Sequence, residues 1–122
     1  MLLNLSNHPS SDWEKAQMDE ALRLYGTVHD IPFPAIDPEW NLDTVRLAAL
    51  QCAKTCIGLL QQSTDQSNAV HVMGELTFCF SFVHLMQQQN IACMASTTTR
   101  VAKNTTDGKL SQFHFKQFRS YF

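Results

Sequence analysis

The sequence is short of charge. Only 16% of its 122 residues are Asp, Glu, Lys or Arg, and the formal net charge is -2. A broad electrostatic grip on long nucleic acid needs a basic face, so that class of partner is excluded, while a small local phosphate site is not. Glycine is scarce too, with four residues. No Gly-x-Gly-x-x-Gly fingerprint and no Walker lysine occur, which speaks against dinucleotide and ATP enzymes. The four cysteines, Cys52, Cys56, Cys79 and Cys93, sit inside apolar segments and make no Cys-x-x-Cys pair. Cys52 and Cys56 share a helix face at i, i+4, but no His or third Cys lies nearby in sequence. Buried small hydrophobes are therefore favoured over a metal site. Reduced thiols fit a cytosolic protein. No His, Asp and Glu set has metal-ligand spacing, and no cofactor is expected. The longest nearly apolar run, 76–86, is too short to span a bilayer. Met1 to Leu3 leads straight into polar residues, so no signal peptide is expected and the expected location is cytoplasmic.

What is present is an ordinary globular composition, 44% apolar, in one domain over residues 1–122. The chain is organised around residues 68–78. Ala69 to Met73 is apolar and β-rich enough for a strand buried on both faces. Gly74 breaks it, and residues 75–89 continue as a helix-length run that is apolar almost all round, so cover on more than one side is expected, by the sheet on one face and a second subunit on the other. A strand, one glycine and a helix make the turn at the carboxyl edge of a parallel sheet. Gly74 permits close backbone approach there, and the helix start offers unpaired N–H groups that suit an anion, phosphate especially. A plain strand-to-helix turn explains the same residues.

Around this stretch, Leu2 to Leu5 reads as a first strand, closed by Pro9. Ser11-x-x-Glu14 is a capping box for a helix carrying Trp13, Ala21, Leu24 and Tyr25 on one face and ending at Gly26. Thr27 to Ile31 is a second strand, followed by a stiff loop with Pro32, Pro34 and Pro38. Its aromatic, Phe33, suits either packing on a base or a hydrophobic lid over the core. Asn41 caps the next helix, where Val45, Ala48, Ala49, Cys52, Cys56, Leu59 and Leu60 follow helical spacing. Ile91 to Ala95 is a fourth strand that 101–103 extends. An Asp-Gly turn at 107–108 starts a return strand with Phe113, Phe115 and Phe118. The order βαβαβαβ plus a terminal antiparallel strand gives an α/β, three-layer Rossmann-like sandwich. Its sheet is mostly parallel, with a C-terminal antiparallel hairpin.

In such a sheet the strand C-termini share one edge, where ligands bind near the point of order reversal. That edge collects Ser6, Asn7 and His8; Phe33 and Pro34; Gly74, Glu75 and Thr77; and Ser96, Thr97, Thr98, Thr99 and Arg100. Hydroxyls and helix N–H groups bind phosphate oxygens without much net charge, and Arg100 adds a bidentate fork. Glu75 also suits the helix dipole alone. His29, His71, His84 and His114 lie within strands or a helix and read most simply as structural.

Five segments carry a resemblance: Leu-Ser-Asn-His-Pro-Ser-Ser-Asp-Trp (5–13), Asp-Ile-Pro-Phe-Pro-x-Ile-Asp-Pro (30–38), His-Val-Met-Gly-Glu-Leu-Thr-Phe (71–78), Ala-Ser-Thr-Thr-Thr-Arg-Val (95–101) and Phe-x-Phe-x-Gln-Phe-Arg-x-Tyr (113–121). Over nearly the whole chain the sequence resembles small stand-alone CRISPR-associated proteins of the CARF (CRISPR-associated Rossmann fold) and ring-nuclease type from type III systems. It departs from the family pattern at Thr99, where that pattern has Glu before Arg, so no acid–base role is carried over there.

The resemblance implies a CARF-like homodimer that binds a cyclic oligoadenylate, cyclic tetra-adenylate above all, across its two-fold axis. Higher assemblies bridged by ligand are compatible with it. It implies metal-independent cleavage by the ribose 2′-OH, carried by positioning and charge stabilisation. His8 and Arg100 would be the catalytic residues. Ser6, Asn7, Phe33, Gly74, Glu75, Thr77, Ser96, Thr97 and Thr98 would bind the ligand. Two alternatives stand beside this: a sponge or sensor that binds the same messenger without cleaving it, and an unrelated small α/β protein for a phosphorylated metabolite.

Overall fold

Leu2–Ser6 (β1) is buried along its whole length, because it lies between two parallel neighbours and under helices on both faces. The computed structural model describes residues 1–122. After β1 come a 3-10 turn at Ser10–Asp12, a helix at Lys15–Tyr25 (α1) and a strand at Val28–Pro32 (β2). Leu42–Gln61 (α2), Ala69–Met73 (β3), Leu76–Gln88 (α3), Ala92–Thr105 (β4) and Gly108–Ser120 (β5) complete the chain. The five-stranded sheet has the order β2-β1-β3-β4-β5, parallel except for the antiparallel β4–β5 pair. It is an α/β fold of Rossmann-like type with a C-terminal hairpin.

Strand alternation sorts the core into two layers. Leu3, Leu5, Val70 and Val72 pack with Val45, Ala49, Cys56, Phe78 and Phe82 of α2 and α3. Leu2 and Ala69 face the other way, onto Ala21 and Tyr25 of α1. Burial pushes the Cys56 and Cys93 thiols up to about 12 and Cys79 to about 11, so they stay protonated and pack as small hydrophobes. The chain lays β2 on one side of β1 and β3 on the other, so strand order reverses between β1 and β3. That is where an α/β sheet opens a crevice at its carboxyl edge.

Several sequence expectations change in the folded chain. Ser11 and Glu14 form no capping box; α1 starts at Lys15, and no side chain caps it. The Glu14 carboxylate instead accepts from the Phe115 N–H at 2.8 Å, on the free edge of β5. Trp13 precedes the helix rather than riding on it. Gly26 does end α1, at φ 82, and Asn41 does cap α2 by accepting from the Thr44 N–H. The second strand is shifted one residue, to Val28–Pro32. Within the single chain α3 packs on the sheet and on α2 and leaves Leu76 83% and Phe80 76% exposed, on the face for which a second subunit is expected.

The fourth strand is longer than its apolar start suggests. Only Ala92 to Met94 pair with β3; from Ala95 onward β4 pairs with β5 alone. At about 3.3 Å per residue, this two-stranded ribbon reaches roughly 35 Å beyond the sheet. Five of the nine Lys and Arg residues (Arg100, Lys103, Lys109, Lys116 and Arg119) lie on or near it, with a single acid, Asp107. The ribbon is thus basic on an otherwise acidic body.

Candidate functional site

Within the buried strands only Asn4, Ser6 and His71 are polar. All three fall on the α1 side of the sheet toward its carboxyl edge, and Asn4 and His71 are direct register partners across β1 and β3. Burial of such groups is tolerated only when they are hydrogen-bonded, and here they are. Asn4 Nδ2 donates to Asp30 Oδ1 at 2.8 Å and to the His8 carbonyl at 2.9 Å. Asn4 Oδ1 accepts from Ser6 Oγ at 2.8 Å and lies 2.9 Å from His71 Nδ1. His71 Nε2 lies 3.2 Å from Ser96 Oγ on β4. The Trp13 and Phe118 rings close on the imidazole edge to face, with centroids at 5.3 and 5.7 Å.

The electrostatics follow from these contacts. Burial, then the nearby His8, lowers the His71 pKa to about 4, so its ring is neutral near pH 7. Burial works against ionisation of Asp30. Hydrogen bonds from Asn4 and from the backbone and hydroxyl of Ser10 outweigh it and hold the carboxyl below the usual range. The backbone N–H of Phe115, then His114, holds Glu14 below its usual range as well.

Above this network lies a cleft of about 740 Å³. Ser6, His8, His71, Ser96 and Thr98 line its sheet side, and Trp13, Glu14 and Gln17 its helix side. Gln112, Phe113, His114 and Phe115 form the ribbon wall. Three imidazoles, several hydroxyls and three aromatic rings meet there. Such a surface can hydrogen-bond phosphate or ribose oxygens and stack a base.

The residues singled out from sequence do not form one site. Ser6, His8, Ser96 and Thr98 line the cleft, and Asn7 is exposed outside it. The Thr97 hydroxyl donates to the Gln117 carbonyl at 3.3 Å. Arg100 stands out on the ribbon, its Nε and Nη2 donating to Ser111 Oγ at 3.1 and 2.9 Å. Gly74 belongs to a second groove of about 630 Å³ on the α3 side, with Leu76, Cys79, Phe80 and Tyr121. Phe33 packs over Gly74 and against Phe78, with ring centroids at 5.0 Å, so its loop acts as a lid on the core. Glu75 caps α3, its carboxylate accepting from the Thr77 N–H and hydroxyl and from the Phe78 N–H at 2.7 Å. Phe78 N–H first, then the Thr77 hydroxyl, hold Glu75 below its usual range. The start of α3 thus already carries a bound carboxylate, its own.

Asn4, Asp30, Trp13, Glu14, His71, Gln112 and His114 were not among the residues singled out. One signal was available: Asn4 and His71 are polar breaks at the centres of two otherwise apolar strands. Glu14 and His114, a hundred residues apart in sequence, meet only through the fold.

No curated protein and no solved structure matches the chain. A family model does match, over residues 1–119, and its description is "Uncharacterized protein MJ1673 family". By that match, which spans nearly all of the fold just described, the chain belongs to the MJ1673 family.

Proposed function

We propose that the protein binds a cyclic oligoadenylate, cyclic tetra-adenylate above all, and cleaves it without metal by attack of a ribose 2′-OH on the adjacent phosphodiester. The observation that carries this is the cleft itself, where Ser6, His8, His71, Ser96 and Thr98 meet the aromatic wall of Trp13, Phe113 and Phe115. Hydroxyls and imidazoles suit ribose and phosphate oxygens, and the flat rings suit adenine. The basic ribbon beside the cleft draws an anionic ligand toward it. The resemblance in the motif segments names the ligand class.

A homodimer is part of this proposal. Leu76 and Phe80, with Leu42 and Leu50 of α2 beside them, form an apolar surface at the start of α3, and a second copy would cover it.

Incubation with labelled cyclic tetra-adenylate, without divalent metal, tests the function. Linear product ending in a 2′,3′-cyclic phosphate is the expected result. Tight retention of intact ligand would instead favour a sponge, and no binding at micromolar protein would discard the cyclic nucleotide altogether.

A further inference from the structure

The hydrogen-bond chain behind the cleft fixes where its protons lie. The Asp30 carboxylate and the His8 carbonyl can only accept, so the group of Asn4 that faces them must be its NH₂. Asn4 therefore turns its oxygen to His71 Nδ1, and that nitrogen must carry the ring proton. In the neutral ring Nε2 is then a bare acceptor, aimed at Ser96 Oγ. The Ser96 hydroxyl also has the Met73 sulfur at 3.0 Å, but a thioether is the far weaker acceptor. Its proton belongs with His71. Ser96 is half-buried and His71 only 2% exposed, and the two line the cleft side by side. With Nδ1 held by Asn4 and Nε2 facing Ser96, the Ser96 oxygen is the hydrogen-bonded link from the cleft to the ring.

We infer that Ser96 and His71 act as a two-step proton acceptor for the attacking ribose hydroxyl, with Asn4 and Asp30 holding the imidazole tautomer; this rests on the cyclic oligoadenylate reading above. The 2′-OH gives its proton to Ser96 Oγ as Ser96 passes its own to His71 Nε2. The 2′-oxygen bonds to phosphorus, the bond from phosphorus to the 5′-oxygen breaks, and that oxygen takes a proton from water. The proton on His71 then returns to solvent by the same route. No electron changes hands and no metal is needed. The asymmetry of the chain suits this role, since an acceptor-only Asp30 at one end leaves the free acceptor at the other. The titratable groups around the pair are His8 at the end of β1, Asp12 on the 3-10 turn, Asp30 on β2, and Glu14 and His114 across the cleft. β3, β4 and α1 turn no other charged group toward it in the cleft.

Cleavage and binding of cyclic tetra-adenylate should be measured separately for the parent, Ser96→Ala, Ser96→Thr and His71→Gln. General-base assistance contributes about 10²- to 10⁴-fold, and a base this weak belongs at the low end. Ser96→Ala should thus cut single-turnover cleavage at saturating ligand about a hundredfold, well beyond its loss of affinity, and should lower the thermal midpoint modestly because the buried His71 Nε2 loses its partner. Ser96→Thr, which keeps the hydroxyl on a strand that accepts threonine, should recover most of the rate. His71→Gln should match Ser96→Ala; if it fails to fold, the serine pair carries the test. If the parent cleaves and Ser96→Ala cleaves equally well, the relay is wrong and the ring-nuclease reading survives. If the parent binds without cleaving, the relay is wrong and the protein is a sponge. If the parent does not bind, both fall together.

Discussion

The ring of Phe33 occupies the space that a side chain on Gly74 would need. The glycine at the end of β3 therefore answers to the proline-stiffened loop above it, which lays an aromatic lid across the turn and onto Phe78. Gly74→Ala should displace that lid and destabilise the fold by about 1–3 kcal/mol, as over-packing does. Phe33→Ala alone should also destabilise, but the double variant should cost less than the two single effects together. A double-mutant cycle by urea unfolding measures this. Additive costs would mean that the two residues do not share the space.

His71 links stability to pH. Its pKa falls from 6.5 in the unfolded chain to about 4 in the folded one. Between those values the unfolded state binds the extra proton, so stability is fully present above pH 6.5 and is lost as pH falls toward 4. The full span is worth about 3 kcal/mol. Unfolding free energy measured between pH 7 and 5 should fall with acidity, and His71→Gln should flatten that slope. Asp30, Glu14 and Glu75, held below their usual range, add a loss in the same direction toward pH 5, so the difference between parent and His71→Gln is what isolates His71.

Glu14 holds the free edge of β5. Removing its carboxylate leaves the Phe115 N–H to solvent and frees His114. In Glu14→Ala the Phe115 amide should exchange with deuterium faster than in the parent, with core amides such as that of Val72 unchanged. Equal protection in both proteins would show that the contact does not anchor the ribbon.

The exposed α3 surface predicts an oligomer. Phe80→Glu places a charge where a second copy would pack, so the parent should scatter light as a dimer at micromolar concentration and the variant as a monomer. Both should keep the same circular dichroism. A monomeric parent, with ligand absent and present, would rule out this surface.

Arg100 and His8 separate binding from turnover. A charge-assisted contact is worth roughly 1.5–3 kcal/mol, so Arg100→Ala should weaken cyclic tetra-adenylate binding by about ten- to a hundredfold if the ribbon reaches the ligand. Unchanged affinity would confine Arg100 to its contact with Ser111. His8→Ala should lower the cleavage rate more than the affinity, read from single-turnover rates beside equilibrium titration.

The sequence by itself determined the order of elements, because each is coded locally. Apolar runs of strand length, the helical spacing from Val45 to Leu60, Gly26 at a helix end and an Asp-Gly turn act on their own neighbours. Together they imply a parallel sheet with a polar carboxyl edge. Tertiary structure alone decided which edge residues share a site. Side chains alternate between two faces, so Ser6 and Ser96 turn into the cleft while Gly74 lines the groove on the other side. Glu14 reads as a cap for α1 until β5, a hundred residues later, offers it an unpaired N–H. His71 reads as a core histidine until the pairing of β1 with β3 sets Asn4 opposite it and β4 brings Ser96 to its other nitrogen. A hydrogen bond between distant strands depends on register, and register is a property of the whole sheet.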